Sequence, residues 1–455
     1  MQRSYAAPGV LAVVVMLSFP IESSAVPAFA RQTGFPCMQC HTVAPELNAF
    51  GRDFKLNGFV LSTLPAVKKD DGIPVNLPRM PGFAAEADIA DTFTAKGQPG
   101  SENANLQFPQ KLKVFVAGAL SDKAGVFSYV EYTQPDDHFS IDLTDVRIAD
   151  HGDLRGTPVV YGLTLNNAPT LEDPWNTLNV WAFPHVHSDV APTPAASTLL
   201  GGVLADSGIV AGLGGYGLLD QTWYAAFTLY GSAPTGVAQP ATSPNPGSVH
   251  KAVPYLRLAW QHSLDSTYLE VGASAMLARF EQGVSGAGAP GMDDKYRDFS
   301  VDAQVEHPLG VNPLTFHAKF IDEKQTLDSS FAAGASSNSS DTLKAFRVDG
   351  TLVLTAGYAV SAGLFNTTGS SDFLLYNPTP TPPSPPPNAV SGSASGSPDS
   401  NGAIVQAIYL PWENTQLIAQ YTIYNKFNGG KSNYDGNGRD ASDNNTLFLL
   451  VMFDL

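Results

Sequence analysis

Two thiols and an imidazole lie within five consecutive residues, Cys37-Met38-Gln39-Cys40-His41, and this run holds both cysteines of the chain. In a C-x-x-C-H run the sulfurs can bond the vinyl groups of a haem and the adjacent imidazole can reach its iron. A disulfide or thioredoxin-like pair belongs in a βαβ setting, and a zinc site needs a fourth ligand nearby; the sequence shows neither. The motif therefore predicts one covalently bound haem c, with His41 as an iron ligand.

A short helix is predicted directly after the motif. Pro45 lies near its first turn and Asn57-Gly58 ends it. Phe50 and Phe54 share an apolar face, which we expect to be core that includes one side of the haem. Residues 26–80 are too few to bury a haem alone, so this segment must lie against another surface.

The chain begins with a predicted export signal. Arg3 precedes an apolar run at residues 10–17, and small residues follow at 23–25. The run is shorter than the ~20 residues that span a bilayer as a helix. Residues 1–25 are therefore expected to be cleaved, and entry into a membrane would require a closed barrel.

Composition narrows the function classes. Of 455 residues only 15% are charged, against roughly 25% in soluble proteins. Gly (41) and Pro (35) are abundant, and the net charge is −17. This acidity argues against a nucleic-acid partner and suits a surface that attracts cations.

From about residue 82 to the last residue the chain alternates between polar and apolar positions. Val301, Ala303 and Val305, for example, alternate with Asp302 and Gln304. A soluble sandwich would show the same alternation, but the export signal and the Asp, Glu, Gln and Lys content of the polar faces favour a barrel with a wet lumen. An even number of strands, about 16, returns both ends to the periplasm.

The predicted fold is therefore all-β. Residues 81–455 form an antiparallel transmembrane β-barrel of about 16 strands, porin-like, with a small N-terminal α-helical monohaem cytochrome c plug. Polar stretches at 232–250, 326–342 and 377–402 predict external loops, and the last of them should be extended and mobile. Residues 166–177 are too polar for a lipid-facing strand, which leaves an external loop or a segment folded into the lumen.

Further haem contacts are predicted from single residues. Met80 is the nearest free thioether after the motif, and a sulfur ligand raises the reduction potential. We predict Met80 as the second axial ligand; His317, on the polar side of its strand, or no second ligand are the alternatives. Arg31, Arg52 and Lys55 could neutralise the haem propionates, although solvated surface charges explain them equally well.

The order of parts resembles a known family. Residues 28–34, Ala-Phe-Ala-Arg-Gln-Thr-Gly, precede the C-x-x-C-H run, and Pro45 to Phe59 follow it. This resembles the fused monohaem cytochrome-porins of the outer membrane, the iron oxidases of iron-oxidising bacteria. The specific match covers about residues 26–60, and the barrel matches in architecture only.

The resemblance implies a one-haem cytochrome inside or on the periplasmic side of an outer-membrane barrel. It would take electrons from extracellular Fe(II), as an iron-oxidising oxidoreductase, and pass them to a periplasmic cytochrome or copper protein. A diffusion porin with a haem plug or redox sensor, and a conduit that delivers electrons outward, are the alternatives. Three acidic pairs are solvated loop charges or weak ferrous-ion sites: Asp70-Asp71, Asp136-Asp137 and Asp293-Asp294.

Overall fold

A computed structural model describes most of the chain. The described residues are 27–61, 82–98, 103–134, 137–177, 188–204, 210–232, 249–285, 287–354, 357–376 and 390–455. The predicted signal peptide, Met80 and the pair Asp70-Asp71 lie outside the described residues.

Sixteen strands form one closed antiparallel barrel, in which each strand pairs with its neighbours in sequence and β1 pairs with β16. The strands are β1 Gly82–Thr94, β2 Asn105–Ala119, β3 Ala124–Thr133, β4 His138–Leu154, β5 Thr157–Asn166, β6 Val210–Leu219, β7 Trp223–Ser232, β8 Val253–Leu264, β9 Thr267–Glu281, β10 Asp293–Leu309, β11 Asn312–Thr326, β12 Ser340–Leu354, β13 Tyr358–Gly369, β14 Ser400–Trp412, β15 Thr415–Lys426 and β16 Thr446–Asp454. The predicted strand number and antiparallel order are confirmed.

Alternation along each strand separates an apolar outside from a polar inside. On β10, Phe299 and Val301 point outward and are 52% and 41% exposed, whereas Ser300 and Asp302 are buried in the lumen. Because successive side chains of a strand point to opposite faces, one apolar residue in two is enough to coat the barrel. The wall is thus built to span an outer membrane, as predicted.

The two ends of the barrel differ in their connections. Short turns, such as Leu309 to Asn312, join β10 to β11 and the other pairs that begin with an even-numbered strand. The other connections are mostly longer, and the first and last strands bring the chain ends to the short-turn end. In outer-membrane barrels the short turns face the periplasm, so we assign that end to the periplasmic side.

The long connections are packed where they are described. Of the predicted loops, residues 233–248 and 377–389 lie outside the described residues, and residues 390–399 are folded back on the barrel, not extended. Val390 and Ser393 are buried, and the Tyr434 hydroxyl donates to the Val390 carbonyl at 2.7 Å. Within 326–342 a short helix, Asp328–Ala332, donates backbone N–H groups to the buried carboxylate of Asp294. That carboxylate is a structural anchor, because its partners are all loop groups of this chain.

Two short helices and one 3₁₀ turn precede the barrel: α1 Pro27–Thr33, the turn Cys37–Gln39 and α2 Ala49–Leu56. No helix among the described residues is both long enough and apolar enough to cross a bilayer. We call residues 27–61 the plug, because they lie inside the barrel mouth.

Candidate functional site

The plug helix α2 begins later than predicted. Asn48 is its N-cap, and the Asn48 side chain accepts a hydrogen bond from the Gly51 amide at 3.0 Å. Asparagine at this position satisfies an otherwise unpaired amide of the first turn. Pro45 therefore lies before the helix and not in its first turn, and Asn57 ends the helix as expected.

The plug is held at the short-turn end of the lumen. The Tyr216 hydroxyl on β6 donates to the Leu56 carbonyl at 2.8 Å. On β3, a Cβ added to Gly125 would lie only 2.3 Å from the Gly58 carbonyl oxygen. Only glycine allows the plug backbone to approach the wall this closely, so the barrel surface is shaped for the plug.

The C-x-x-C-H run lies beside a turn of the barrel. The Cys37 thiol donates to the backbone carbonyl of Glu413, in the β14–β15 turn, at 3.0 Å. Cys37 and Cys40 are not joined by a disulfide. A Cβ on Gly51 would lie 2.2 Å from the Cys40 carbonyl, so α2 packs directly on the motif.

Burial changes the proton affinity of the motif. It raises the pKa of the Cys40 thiol. It also lowers the pKa of His41, which the backbone of Glu46 and Pro45 raises by a smaller amount. His41 is thus held as a neutral imidazole, the form that can ligate a metal.

A cavity of about 490 Å³ opens onto both cysteines and His41. We call it the aromatic cavity. Plug and wall both supply its apolar lining, which includes Phe29, Phe54, Phe59, Phe115, Phe127, Phe448, Leu450 and Met452. Its volume lies within the range of cofactor pockets, about 300–1,000 Å³.

The last strand explains why this part of the lumen is apolar. Phe448, Leu450 and Met452 occupy inward positions of β16, where the alternation of a barrel ordinarily places polar residues. Leu450 packs with Val43, which follows the motif by two residues. The apolar face predicted for the plug therefore meets an apolar strip of the wall.

The opposite flank of the aromatic cavity carries charge. Lys113 forms an ion pair with Glu86 at 2.6 Å, and Lys111 one with Glu131 at 3.4 Å. Lys55 of the plug lines the cavity as well. Burial and the charge of Arg147 lower the pKa of Lys55 to about 8, so a nearby anion would favour its charged form.

Within the part of the chain that the structure describes, three buried polar atoms on the cavity wall have no hydrogen-bond partner: His41 Nδ1, Asp88 Oδ1 and Gln416 Oε1. Such atoms are costly to bury unless a ligand or water satisfies them. With two thiols, an imidazole, an aromatic wall and lysines on the far flank, the residues fit a covalently bound haem. Cys37 and Cys40 would hold its vinyl groups and His41 its iron.

The other half of the lumen is filled by ion pairs. Here the segment 166–177 folds inward, which decides between the two alternatives left by its sequence. We call the following side chains the ionic cluster: Asp145, Arg147, Glu172, Asp173, Arg257, Glu270 and Asp302.

Each arginine of the ionic cluster has several partners. Arg257 binds both oxygens of Asp302 at 2.8 Å and reaches Asp173 at 3.0 Å. Arg147 binds Asp145 at 2.8 Å and the Leu171 carbonyl at 2.6 Å. The inward segment thus supplies partners for charged side chains that would otherwise be costly to bury.

No protein-family model matches this chain, and no curated protein matches its sequence. Solved structures similar in fold include Salmonella typhi OmpF in complex with daunomycin, with a TM-score of 0.47, 11% identity, and 82% of this chain and 97% of that chain covered. The outer membrane channel DcaP of Acinetobacter baumannii gives a TM-score of 0.46 at 11% identity over 82% and 96% of the two chains. The anion-selective porin from Comamonas acidovorans gives 0.42 at 11% identity over 82% and 98%.

The description of the barrel as porin-like is based on its closed order of sixteen strands. The similarity to these channels is a similarity of fold. The resemblance to cytochrome-porin iron oxidases covers only the plug sequence and stays a prediction. Among the described residues no group of three or more His, Cys, Asp or Glu side chains is arranged to hold a metal ion.

The predicted site residues fall into two sets. Cys37, Cys40 and His41 share the aromatic cavity. Arg31 donates to the Phe83 carbonyl at 3.1 Å, and Arg52 pairs with Glu306 at 2.5 Å.

Neither arginine lines the cavity, and their propionate role stays a prediction. His317 points into the lumen, as expected from its strand, but pairs with Asp349 at 3.4 Å away from the cavity lining.

Sequence reasoning missed the wall side of the cavity. Lys111, Lys113, Gln416 and Met452 come from strands far apart in sequence. One signal was available: Phe448, Leu450 and Met452 make β16 apolar on both faces.

Proposed function

We propose that this chain is an outer-membrane electron-transfer protein that carries one haem c on Cys37 and Cys40, with His41 on the iron. The observation that carries the proposal is the aromatic cavity, which opens onto both thiols and the imidazole inside a closed barrel. The bound haem would supply one-electron chemistry. Positioning and shielding of the haem would be done by residues of the chain.

The chain's own residues position and shield this site. Gly51 and the Asn48 cap keep α2 packed on the motif. The aromatic lining excludes water from the haem faces, which favours a high reduction potential. The lysine flank, with Lys55 and Lys111, offers cations to the haem propionates.

We propose Fe(II) as the electron donor. The chain has a net charge of −17, and this acidity would attract a hydrated cation without chelating it. The electrons would leave to a periplasmic cytochrome or copper protein at the short-turn end, where the motif lies.

The test is rapid-mixing reduction of the purified, haem-loaded protein by ferrous iron. We expect the haem bands to shift to their reduced form in proportion to the iron added. The rate of reduction should fall at high salt, because screening removes long-range attraction between the acidic protein and the cation. A haem that ferrous iron does not reduce would end the iron-oxidase proposal and leave the haem site standing.

The diffusion-porin alternative has one observation in its favour, the porin-like barrel itself. Against it, the plug and the segment 166–177 lie inside the lumen among the described residues. Large, steady open-channel conductance in a planar bilayer would favour the porin. A haem potential well below that of the iron couple would instead favour outward electron delivery.

A further inference from the structure

One thioether of the barrel wall faces the haem motif. Met452 lies on β16 at an inward position and lines the aromatic cavity together with Cys37, Cys40 and His41. It is partly buried, next to the cluster of Leu450 and its neighbours. Met276, on β9, is also a methionine at an inward position, but it does not line this cavity.

The motif is tied to the same stretch of wall. Cys37 donates to Glu413 in the β14–β15 turn, and the next strand pairs Gln416 directly with Met452. On the other side β1 pairs Asp88 with Met452. Among the described wall residues of the cavity, Gln416 and Asp88 are the two that bury an oxygen without a hydrogen-bond partner. Met452 therefore lies between the two unsatisfied groups.

Other described candidates lie elsewhere. Met276 is buried in a separate cluster with Tyr255, and Met292 is exposed in a loop. Met38 belongs to the attachment run itself and is 46% exposed. His317 does not line the cavity.

We infer that Met452 is the second axial ligand of the haem. The inference rests on the proposed haem site. A barrel strand would then supply the thioether while the plug supplies the imidazole, so that a haem with both axial ligands requires the plug to be seated in the barrel. A thioether in place of a second imidazole raises the reduction potential of the haem.

The test compares four single variants of the full, haem-loaded protein by optical spectroscopy and potentiometry. M452L should lose the sulfur-to-iron charge-transfer band of the ferric haem and shift the midpoint potential downward. M276L, a buried methionine away from the cavity, should leave both unchanged. M452H should keep a six-coordinate haem at a lowered potential without the sulfur band, a recovery that a merely packing role for Met452 would not produce.

The remaining arm is M80L, which removes the thioether predicted from sequence. Loss of the sulfur band in M80L and its retention in M452L would overturn the inference, as would a wild-type haem with no sulfur band. Haem staining of denatured wild-type protein distinguishes a failure of the haem site from a failure of the Met452 assignment. An unstained protein would refute the haem site and this inference together, whereas a stained protein with an unchanged M452L spectrum would refute this inference alone.

Discussion

The aromatic cavity and the ionic cluster occupy the same lumen, and the same alternation of the strands places their side chains. In the ionic cluster almost every inward group is charged, and the inward segment brings partners to it. In the aromatic cavity β16 turns Phe448, Leu450 and Met452 inward, and polar atoms of Asp88 and Gln416 have no partner among the described residues. The lumen is thus largely apolar beside the C-x-x-C-H run and ionic where the segment 166–177 folds in.

The difference teaches how to find a ligand site inside a barrel. A polar inward position with partners within the chain serves the fold, since an unpaired buried charge is costly. A buried polar atom without a partner among the described residues indicates a bound group only where a cavity adjoins it. Asp88 and Gln416 meet this condition, whereas Arg257 Nε and Glu270 Oε2 of the ionic cluster also lack partners but do not line the aromatic cavity.

The largest effect is expected at the motif. Replacing both cysteines, C37A/C40A, should abolish covalent haem, because no other cysteine is present. The barrel should still fold, since the ionic cluster and strand pairing are untouched. Haem staining and heat-dependent gel mobility measure the two properties. Retained covalent haem would show that the attachment lies elsewhere.

Breaking the ionic cluster should weaken the fold. R257M leaves Asp173, Glu270 and Asp302 buried without their cation, which costs about 3–5 kcal/mol. The free energy of unfolding by denaturant, measured in detergent, checks this.

The matched control is K344M, which removes the exposed pair of Lys344 with Asp322. Such pairs contribute about 0–1 kcal/mol. Equal losses of unfolding free energy in R257M and K344M would mean that the buried ion pairs of the ionic cluster contribute no more to stability than an exposed pair.

A smaller loss is expected where helix α2 packs on the motif. In G51A the new methyl would lie 2.2 Å from the Cys40 carbonyl, so the loop or the helix must shift, at about 1–3 kcal/mol. The ratio of haem to protein should fall several-fold. G231A, whose Cβ would meet open space, should bind haem at the wild-type ratio. A wild-type haem ratio in G51A would disprove the close packing of α2 on the motif.

The smallest effect is a pH dependence from Lys55. Its folded pKa of about 8 lies below the ordinary 10.5, so the folded state loses its proton first. The free energy of unfolding should rise between about pH 8 and pH 10 as Lys55 loses its buried charge. Below pH 8 the destabilisation caused by burying the charged ammonium should be complete. In the haem-free C37A/C40A protein, K55M should flatten this rise, and an unchanged slope would show that another group titrates.

Much of the barrel could be predicted from sequence, because its rule is local. Val301 points outward and Asp302 inward because of their positions along one strand, whatever residues lie on the neighbouring strands. The C-x-x-C-H motif can likewise be recognised from consecutive residues alone. Partners that depend on register could not be predicted. Arg52 meets Glu306 across 254 residues, and Met452 meets Gln416 through strand pairing. The segment 166–177 was ambiguous because its Arg147 and Arg257 partners come from other strands.

The most direct test of the haem site is the mass of one tryptic peptide. Cleavage after Arg31 and Arg52 releases residues 32–52, which contain Cys37, Cys40 and His41. From protein exported in a host that attaches haem, this peptide should carry the mass of one haem. The bare peptide mass, with both thiols open to alkylation, would contradict the account.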